Sequence, residues 1–391
     1  MAGNRITWDI GRYDPDTHYV YRDSAPIDKK NLPTPLVTLG QGVSVYEDTD
    51  VIEGNSYYYR VDSEKKGLYL FGSGMLRPAS NIFVYTASDD KSAKKIDLNG
   101  NEAWTYKNTT EVKHVVADSN GNIYIASGDD YKLMKLDPNG NLIWTFESKA
   151  NGNSNGHSSD IYALDIDTND NVYTGTGYPN EVRKIDPDGN QMWIFSGHTN
   201  ALGAIVTDSV NGYVYSTSFD DKIRKIDIST GNEITNEANW PFSNLSEYLN
   251  SMVIDSSANI YAGSGDAIIR KINSNGNIVW TFESQANGNS DGHSSTVYGL
   301  VIDSSGNIYS GSADRTVKKI DSSGSIIWTF ESKANGNPDG HTGNIHGVAI
   351  DSDDNVYSTG YDKMIKKIDP NGNLVWSIIK HVNYVRDIVA S

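Results

Sequence analysis

The chain has 391 residues, a formal net charge of −17 and no cysteine. This length accommodates two domains, or one large repeat domain with an appendage. Without cysteine there are no disulfides and no thiolate zinc sites. The excess of carboxylates argues against sequence-independent binding of nucleic acid, and no apolar run is long enough to cross a bilayer.

Residues 1 to 79 carry no internal repeat. Short alternating stretches around Trp8, Val20, Tyr46 and Tyr57 predict a small β-sandwich. The first ten residues, "MAGNRITWDI", lack the charged-then-apolar pattern of a secretory signal.

The stretch "DTDVIEGNSYYYRV" resembles the E–F corner of a fibronectin type III module, whose pattern is Leu-x-Pro-Gly-Thr-x-Tyr. Val51, Gly54 and Tyr57 match it, while Glu53 and Asn55 replace the usual Pro and Thr. The resemblance implies that Tyr57 is the tyrosine-corner residue and that Trp8 is the core tryptophan. The first strand of the module is missing, so one sandwich edge is expected to be open to a neighbouring subunit.

From residue 80 onward a unit of 40 to 49 residues recurs, which is the length of one four-stranded propeller blade. Its most regular marker is a hydrophobic residue followed by Asp or Asn at the end of a strand. Seven copies are present: Ile96-Asp97, Leu136-Asp137, Ile185-Asp186, Ile226-Asp227, Ile272-Asn273, Ile320-Asp321 and Ile368-Asp369.

Each unit divides into four short strands, A to D. In the sixth unit these are predicted at Val297 to Asp303, Asn307 to Ser312, Thr316 to Asp321 and Ser325 to Glu331. Gly, Asn, Asp and Ser make the A–B and C–D connections tight hairpins. Strand direction therefore places the longer D–A connections and the B–C connections together on the opposite face.

The last nine residues, Asn383 to Ser391, have the pattern of a strand A, and the first repeat lacks one. An open array would leave two unpaired sheet edges. We therefore predict that the C-terminal strand completes the first blade and closes a seven-bladed β-propeller over residues 80 to 391, in an all-β chain.

Six tryptophans follow the pattern D-x-x-G-x-x-x-W in strand D, with Asn273 in place of Asp in the fifth unit. They are predicted to pack between neighbouring blades: Trp104, Trp144, Trp193, Trp280, Trp328 and Trp376. The fourth unit departs, because its turn is one residue longer and Trp240 follows late. These segments resemble the tryptophan-docking repeats of quinoprotein dehydrogenase propellers.

The segment "GHSSTVYGLVIDSSGNIYSGSADRTVKKID" resembles a WD-repeat. The family's network of His, Asp and Ser or Thr implies structural roles for the histidines of the Gly-His pairs, His157, His198, His293 and His341. Ile320 stands where the family has Trp, so only a partial network is expected, such as His293 with Asp314 and Ser310 or Ser312.

No catalytic, cofactor or metal site is predicted. The Asp-rich turns at residues 165 to 171 and 351 to 355 lack the twelve-residue calcium-loop pattern and are interpreted as Asx-turn hairpins. A quinoprotein enzyme would need a cofactor pocket and a catalytic Asp, and its family commonly carries a signal peptide and vicinal cysteines. No Ser-His-Asp order, phosphate loop or paired-carboxylate motif is evident, although a distant glycosidase pair stays open.

Three D–A loops are nearly identical: "ESKANGNSNGH", "ESQANGNSDGH" and "ESKANGNPDGH". Loops on a rigid scaffold often serve recognition, whereas recent duplication alone would also make them alike. Under the first interpretation a polar rim facing a host glycan or protein is formed by Asn151, Asn153, Asn287, Asn289, Asn335 and Asn337.

The pattern favours a non-enzymatic protein. Short fibronectin-like modules of this kind resemble those of tailed-bacteriophage virion proteins. The leading hypothesis is a virion protein of tail, fibre or capsid, present in multiple copies and assembled in the host cytoplasm. Residues 1 to 79 would dock onto other virion proteins, and the propeller would contact the host surface without membrane insertion. The alternative is a bacterial WD-repeat-like scaffold for protein interaction, in the cytoplasm or at the cell surface.

Overall fold

A computed structural model describes residues 4–7, 17–23, 36–40, 45–48, 58–65, 68–70, 83–237, 239–243 and 247–390. The chain divides into two compact units, residues 1–82 and residues 83–391. Within the described residues, no helix is long and apolar enough to span a bilayer.

The first unit contains six described strands, all paired antiparallel. Strand β1 (Asn4–Thr7) pairs with β4 (Val45–Asp48). A second sheet has the order β3 (Val37–Gly40), β2 (Thr17–Asp23), β5 (Tyr58–Lys65) and β6 (Leu68–Leu70). Trp8 and Tyr57 lie outside the described residues, so the fibronectin type III assignment stays a prediction.

The second unit is the predicted seven-bladed propeller, built almost entirely of strands. Its elements, in chain order, are β7 (Phe83–Ser88), β8 (Ser92–Asp97), β9 (Glu102–Lys107), β10 (Val112–Ala117), β11 (Ile123–Ser127), β12 (Leu133–Leu136), β13 (Leu142–Phe146), β14 (Ile161–Ile166), β15 (Val172–Thr176), β16 (Val182–Ile185), β17 (Gln191–Phe195), β18 (Leu202–Asp208), β19 (Tyr213–Ser218), β20 (Lys222–Asp227), β21 (Leu249–Ile254), β22 (Ile260–Ser264), β23 (Ile269–Ile272), β24 (Ile278–Phe282), β25 (Val297–Ile302), β26 (Ile308–Ser312), β27 (Val317–Ile320), β28 (Ile326–Phe330), β29 (Ile345–Ile350), β30 (Val356–Gly360), β31 (Met364–Ile368), β32 (Leu374–Ile379) and β33 (Val385–Ala390). Single turns of 3-10 helix interrupt three D–A loops, at Lys149–Asn151, Gln285–Asn287 and Lys333–Asn335.

The C-terminal strand closes the ring. Strand β33 pairs antiparallel with β7, with Val385 opposite Ser88 and Ala390 opposite Val84, so the first blade has the order β33-β7-β8-β9. The inner strands contact one another in the cyclic order β33, β10, β14, β18, β21, β25, β29 and back to β33. Both ends of the second unit therefore belong to one sheet, and the seven inner strands line a central channel.

The fourth blade differs from the predicted four-stranded unit. Its sheet contains only β18, β19 and β20. In place of a strand D, the following segment reaches β20 through two isolated bridges, Ile223 with Phe242 and Ile226 with Glu233. The longer turn after Asp227 breaks the C–D hairpin, so the outer edge of this blade is irregular.

A repeated set of buried residues holds the blades together. The second strand of each blade carries a tyrosine that is at most 1% exposed. Five blades place a strand-C lysine against the Asp of the A–B turn, as in the ion pair of Lys367 with Asp351 at 3.2 Å. That lysine also lies over the ring of Tyr357, with Nζ 5.2 Å from its centroid. In these five blades a carboxylate therefore compensates the charge of the inward-facing lysine.

The Asp-rich turns are capped hairpins. Oδ1 of Asp351 accepts hydrogen bonds from the backbone N–H groups of Asp353 and Asn355 at 3.0 and 2.9 Å. Asp167 accepts the equivalent bonds from Asn169 and Asn171. The described residues include no cluster of His, Cys, Asp or Glu that could hold a metal ion.

Candidate functional site

The six predicted tryptophans all lie between blades. Each indole Nε1 donates to a backbone carbonyl in the C–D turn of the next blade, at 2.8 to 3.1 Å: Trp104 to Pro138, Trp144 to Pro187, Trp193 to Ile228, Trp280 to Ser322, Trp328 to Pro370 and Trp376 to Leu98. Trp240, which falls outside the regular spacing, makes the same bond to Ser274 at 3.1 Å. These indoles are engaged in packing rather than displayed to a ligand.

Each Gly-His histidine bonds its own D–A loop to strand B of the blade that follows. His293 bonds Asp314 at 2.7 Å and Ser310 at 2.8 Å, and His341 bonds Asp362 and Ser358, both at 2.8 Å. His198 makes the equivalent contacts with Asp220 and Ser216.

The histidines of the first and third blades differ from this pattern, and the loops before β10 and β21 contain no histidine. His157 bonds Thr174 at 2.8 Å, but its buried Nδ1 has no hydrogen-bond partner. His381 of the first blade contacts Asp90 and Thr86 and was not predicted, because Lys380 stands where other blades have Gly. The histidines lie in separate blades and do not converge on one site.

The side chains of the predicted asparagine rim form hydrogen bonds within their own loops. Nδ2 of Asn151, Asn287 and Asn335 donates to the carboxylates of Glu147, Glu283 and Glu331 at 2.8 to 2.9 Å. Asn153 and Asn289 donate to the backbone carbonyls of Glu147 and Glu283 at 3.1 and 3.0 Å, and Oδ1 of Asn337 accepts from the N–H of Asp339. Their proposed contact with a glycan stays a prediction.

The mouth of the channel, on the face of the D–A and B–C connections, brings together a different set of residues. In six of the seven inner strands, the second residue falls at a shift in the pairing register with strand B. In the fourth blade the shift includes the second and third residues. These second residues, in ring order, are Arg386, Lys113, Tyr162, Gly203, Asn250, Tyr298 and His346. The repeat fixes the position, whereas the residue type varies from blade to blade.

Four aromatic rings from blades six, seven and one are stacked in a row at the mouth. Tyr298 stacks on His346 at 4.2 Å, His346 on Tyr361 at 4.4 Å, and Tyr361 on Tyr384 at 4.3 Å between centroids. Burial, and then the charge of Arg386, lower the pKa of His346 to about 4, so the imidazole is neutral at pH 7.

Arg386 stabilises this stack. It donates to both carboxylate oxygens of Asp89 at 2.8 and 2.7 Å and to the hydroxyl of Tyr361 at 2.9 Å. Its guanidinium also lies over the Tyr361 ring, 5.3 Å from the centroid. The bidentate geometry holds the rings of three blades in one arrangement.

Blades three, four and five display aromatic rings that lie outside this stack. Tyr162, Tyr178, Phe219 and Tyr248 are 43%, 75%, 40% and 36% exposed, and we call these four residues the aromatic arc. A Cβ at Gly177 would lie 2.5 Å from the Tyr162 ring, and one at Gly265 would lie 2.8 Å from the Tyr248 ring. Glycine at these two positions therefore lets each ring lie flat on the B–C turn.

The cations at the mouth are compensated within the protein. Lys113 pairs with Asp160 at 2.9 Å, and Arg386 pairs with Asp89 at 2.7 Å. Of these two ion pairs, Lys113 with Asp160 lies on the side of the aromatic arc, and the arc itself offers ring faces and the hydroxyl groups of its three tyrosines. Aromatic residues of this kind are enriched at the centres of protein interfaces.

Comparison with known proteins agrees with this fold. A family model described as outer membrane protein assembly factor BamB matches residues 178–313, and a model described as WD domain, G-beta repeat, matches residues 332–369. Among solved structures, the WD40 β-propeller domain of Doa1 is similar with a TM-score of 0.58 and 16% sequence identity, over 71% of this chain and 86% of that one. No curated protein matches the chain.

Proposed function

We propose that the protein is a non-enzymatic scaffold that binds another protein at the mouth of its channel. The observation that carries the proposal is the aromatic arc, four exposed rings on adjacent blades of a closed ring. WD40 propellers are typically interaction scaffolds, and the WD-repeat match and the likeness to the Doa1 propeller support that role over a virion role. Docking of residues 1 to 79 onto a virion stays a separate prediction, to be tested by mass spectrometry of purified particles.

Rigidity supports the same conclusion. Each blade is bonded to the next through an indole, and the last indole, Trp376, bonds Leu98 of the first blade at 2.8 Å. A closed ring holds the aromatic arc in place before a partner arrives, so little ordering entropy is lost on binding.

The test is affinity capture from the source organism with identification by mass spectrometry. The arc variant Tyr162→Ser/Tyr178→Ser/Tyr248→Ser should lose the captured partner. The control variant Ile143→Ser/Val279→Ser/Ile327→Ser changes residues of the outer strands that are 49 to 53% exposed, and it should retain the partner. Loss with both variants, or with neither, would contradict binding at the mouth.

A further inference from the structure

We propose that the Phe219–Tyr248 ring pair, with the carboxylates of Asp221 and Glu247, binds a lysine or arginine side chain of a basic protein segment. This inference rests on the proposed function and adds the chemistry of the partner. The two rings lie 4.8 Å apart between centroids and join the B–C turn of the fourth blade to the start of the inner strand of the fifth.

The backbone under both rings is fixed by hydrogen bonds. The N–H of Phe219 donates to Ala201 at 2.9 Å, and its carbonyl accepts from Nδ2 of Asn200 at 3.1 Å. The carbonyl of Tyr248 accepts from the N–H of Gly265 at 3.0 Å. The ring pair is thus held in place while remaining 40% and 36% exposed.

Each ring has a carboxylate beside it in the chain. Asp221 follows Phe219 by two residues and Glu247 directly precedes Tyr248, and both acidic residues are exposed. Among the described residues neither forms an ion pair, although Lys222 is adjacent to Asp221. The nearby guanidinium of Arg224 is already paired with Glu233 at 2.7 Å and with Asp220 at 3.5 Å. Two exposed carboxylates that form no ion pair among the described residues therefore lie within two residues of the ring pair along the chain.

The opposite side of the mouth shows the same chemistry completed by the chain itself. There Arg386 lies over the Tyr361 ring and binds the carboxylate of Asp89. Aromatic faces attract cations, and guanidinium and ammonium groups are the side chains that use this attraction. At Phe219 and Tyr248 the rings and carboxylates are present, and the cation would come from the partner.

The charge of the chain indicates what kind of partner would supply that cation. The net charge of −17 favours a basic partner and disfavours nucleic acid.

The test is fluorescence anisotropy with the full-length protein and labelled Gly/Ser peptides that carry arginine, lysine or glutamate at matched positions. The arginine and lysine peptides should bind and the glutamate peptide should not. Affinity should fall as NaCl rises from about 50 to about 300 mM, since the exposed carboxylates are screened. The variants Phe219→Leu/Tyr248→Leu and Asp221→Asn/Glu247→Gln should each weaken binding at least about fivefold.

Asp188→Asn is the matched control, because Asp188 is an exposed carboxylate in a C–D turn on the other face; it should bind like the unmodified protein. Thermal melting checks that every variant is folded. Failure of the basic peptides to bind, or binding that ignores Asp221→Asn/Glu247→Gln, overturns the inference. A captured partner that needs the aromatic arc but tolerates those two substitutions would overturn this inference alone, whereas the absence of any arc-dependent partner would overturn the proposed function.

Discussion

Six of the inter-blade tryptophans lie against a glycine in the C–D turn of the next blade. Gly372 has φ +88°, and a Cβ there would lie 3.0 Å from Cδ2 of Trp328. Gly336 has φ +98°, and a Cβ there would meet nothing within 4 Å. The two positions share the left-handed backbone and differ in whether an indole lies against them.

We predict that Gly336→Ala lowers the free energy of unfolding by about 1 to 2 kcal/mol, the cost of a left-handed alanine. Gly372→Ala should cost about 1 to 3 kcal/mol more, because the methyl group displaces the indole of Trp328. Urea denaturation of both variants measures the difference. Equal losses would show that the indole contact adds nothing to blade cohesion.

The repeat spacing predicted the positions of residues that recur in every blade. It did not predict the roles of residues that occur in only one blade. The regular spacing predicted the position of Trp328, whereas Trp240 escaped it because the irregular fourth blade delays that residue. The aromatic arc was not predicted, because Phe219 and Tyr248 come from different repeats and meet only when the strands curl into a ring. An informative signal would have been the residue type directly after each strand B, where Phe219 and Tyr361 replace small residues or Asp.

Among the elements, β33 closes the propeller ring. It supplies the inner strand of the first blade, and its Val385 and Ile388 are 0% and 4% exposed. The strand pattern alone predicted this pairing, since one half-repeat at each end fits only one partner. The missing fourth strand of the fourth blade could not be predicted from the pattern, because Trp240 is present there but follows an irregular connection.

We predict that Ile388→Ala lowers the free energy of unfolding by about 2 to 5 kcal/mol, since it removes buried side chain at the joint between the ends of the propeller. Val382→Ala is the control: Val382 is 80% exposed in the preceding loop, and the change should stay within about 0.5 kcal/mol. Chemical denaturation gives both values. If Ile388→Ala lowered the free energy of unfolding no more than Val382→Ala does, the C-terminal strand would not be holding the ring closed.

For the whole molecule, the buried histidines set a limit on acid stability. Burial lowers the pKa of His157 to about 3 and, together with Arg386, that of His346 to about 4. Burial also lowers the pKa of His198, His293 and His341, even though an aspartate beside each one opposes the shift. These imidazoles are therefore neutral in the folded protein and become protonated near pH 6.5 once the chain unfolds.

Below pH 6.5 the unfolded state thus binds more protons than the folded state, so folding stability falls as the pH falls. His157 and His346 should each contribute a loss of up to about 1.4 kcal/mol per pH unit until their folded pKa values are reached. We predict a melting temperature that is level between pH 8 and pH 7 and declines from pH 6.5 to pH 5. Asp165, whose pKa burial raises to about 6, takes up a proton in the folded state within this range and offsets part of the decline. His157→Gln should lessen that decline, because it removes one of the protonation sites, whatever it does to the melting temperature at pH 8. A melting temperature that stays level down to pH 5, or a decline unchanged by His157→Gln, would mean that these imidazoles take up protons without unfolding.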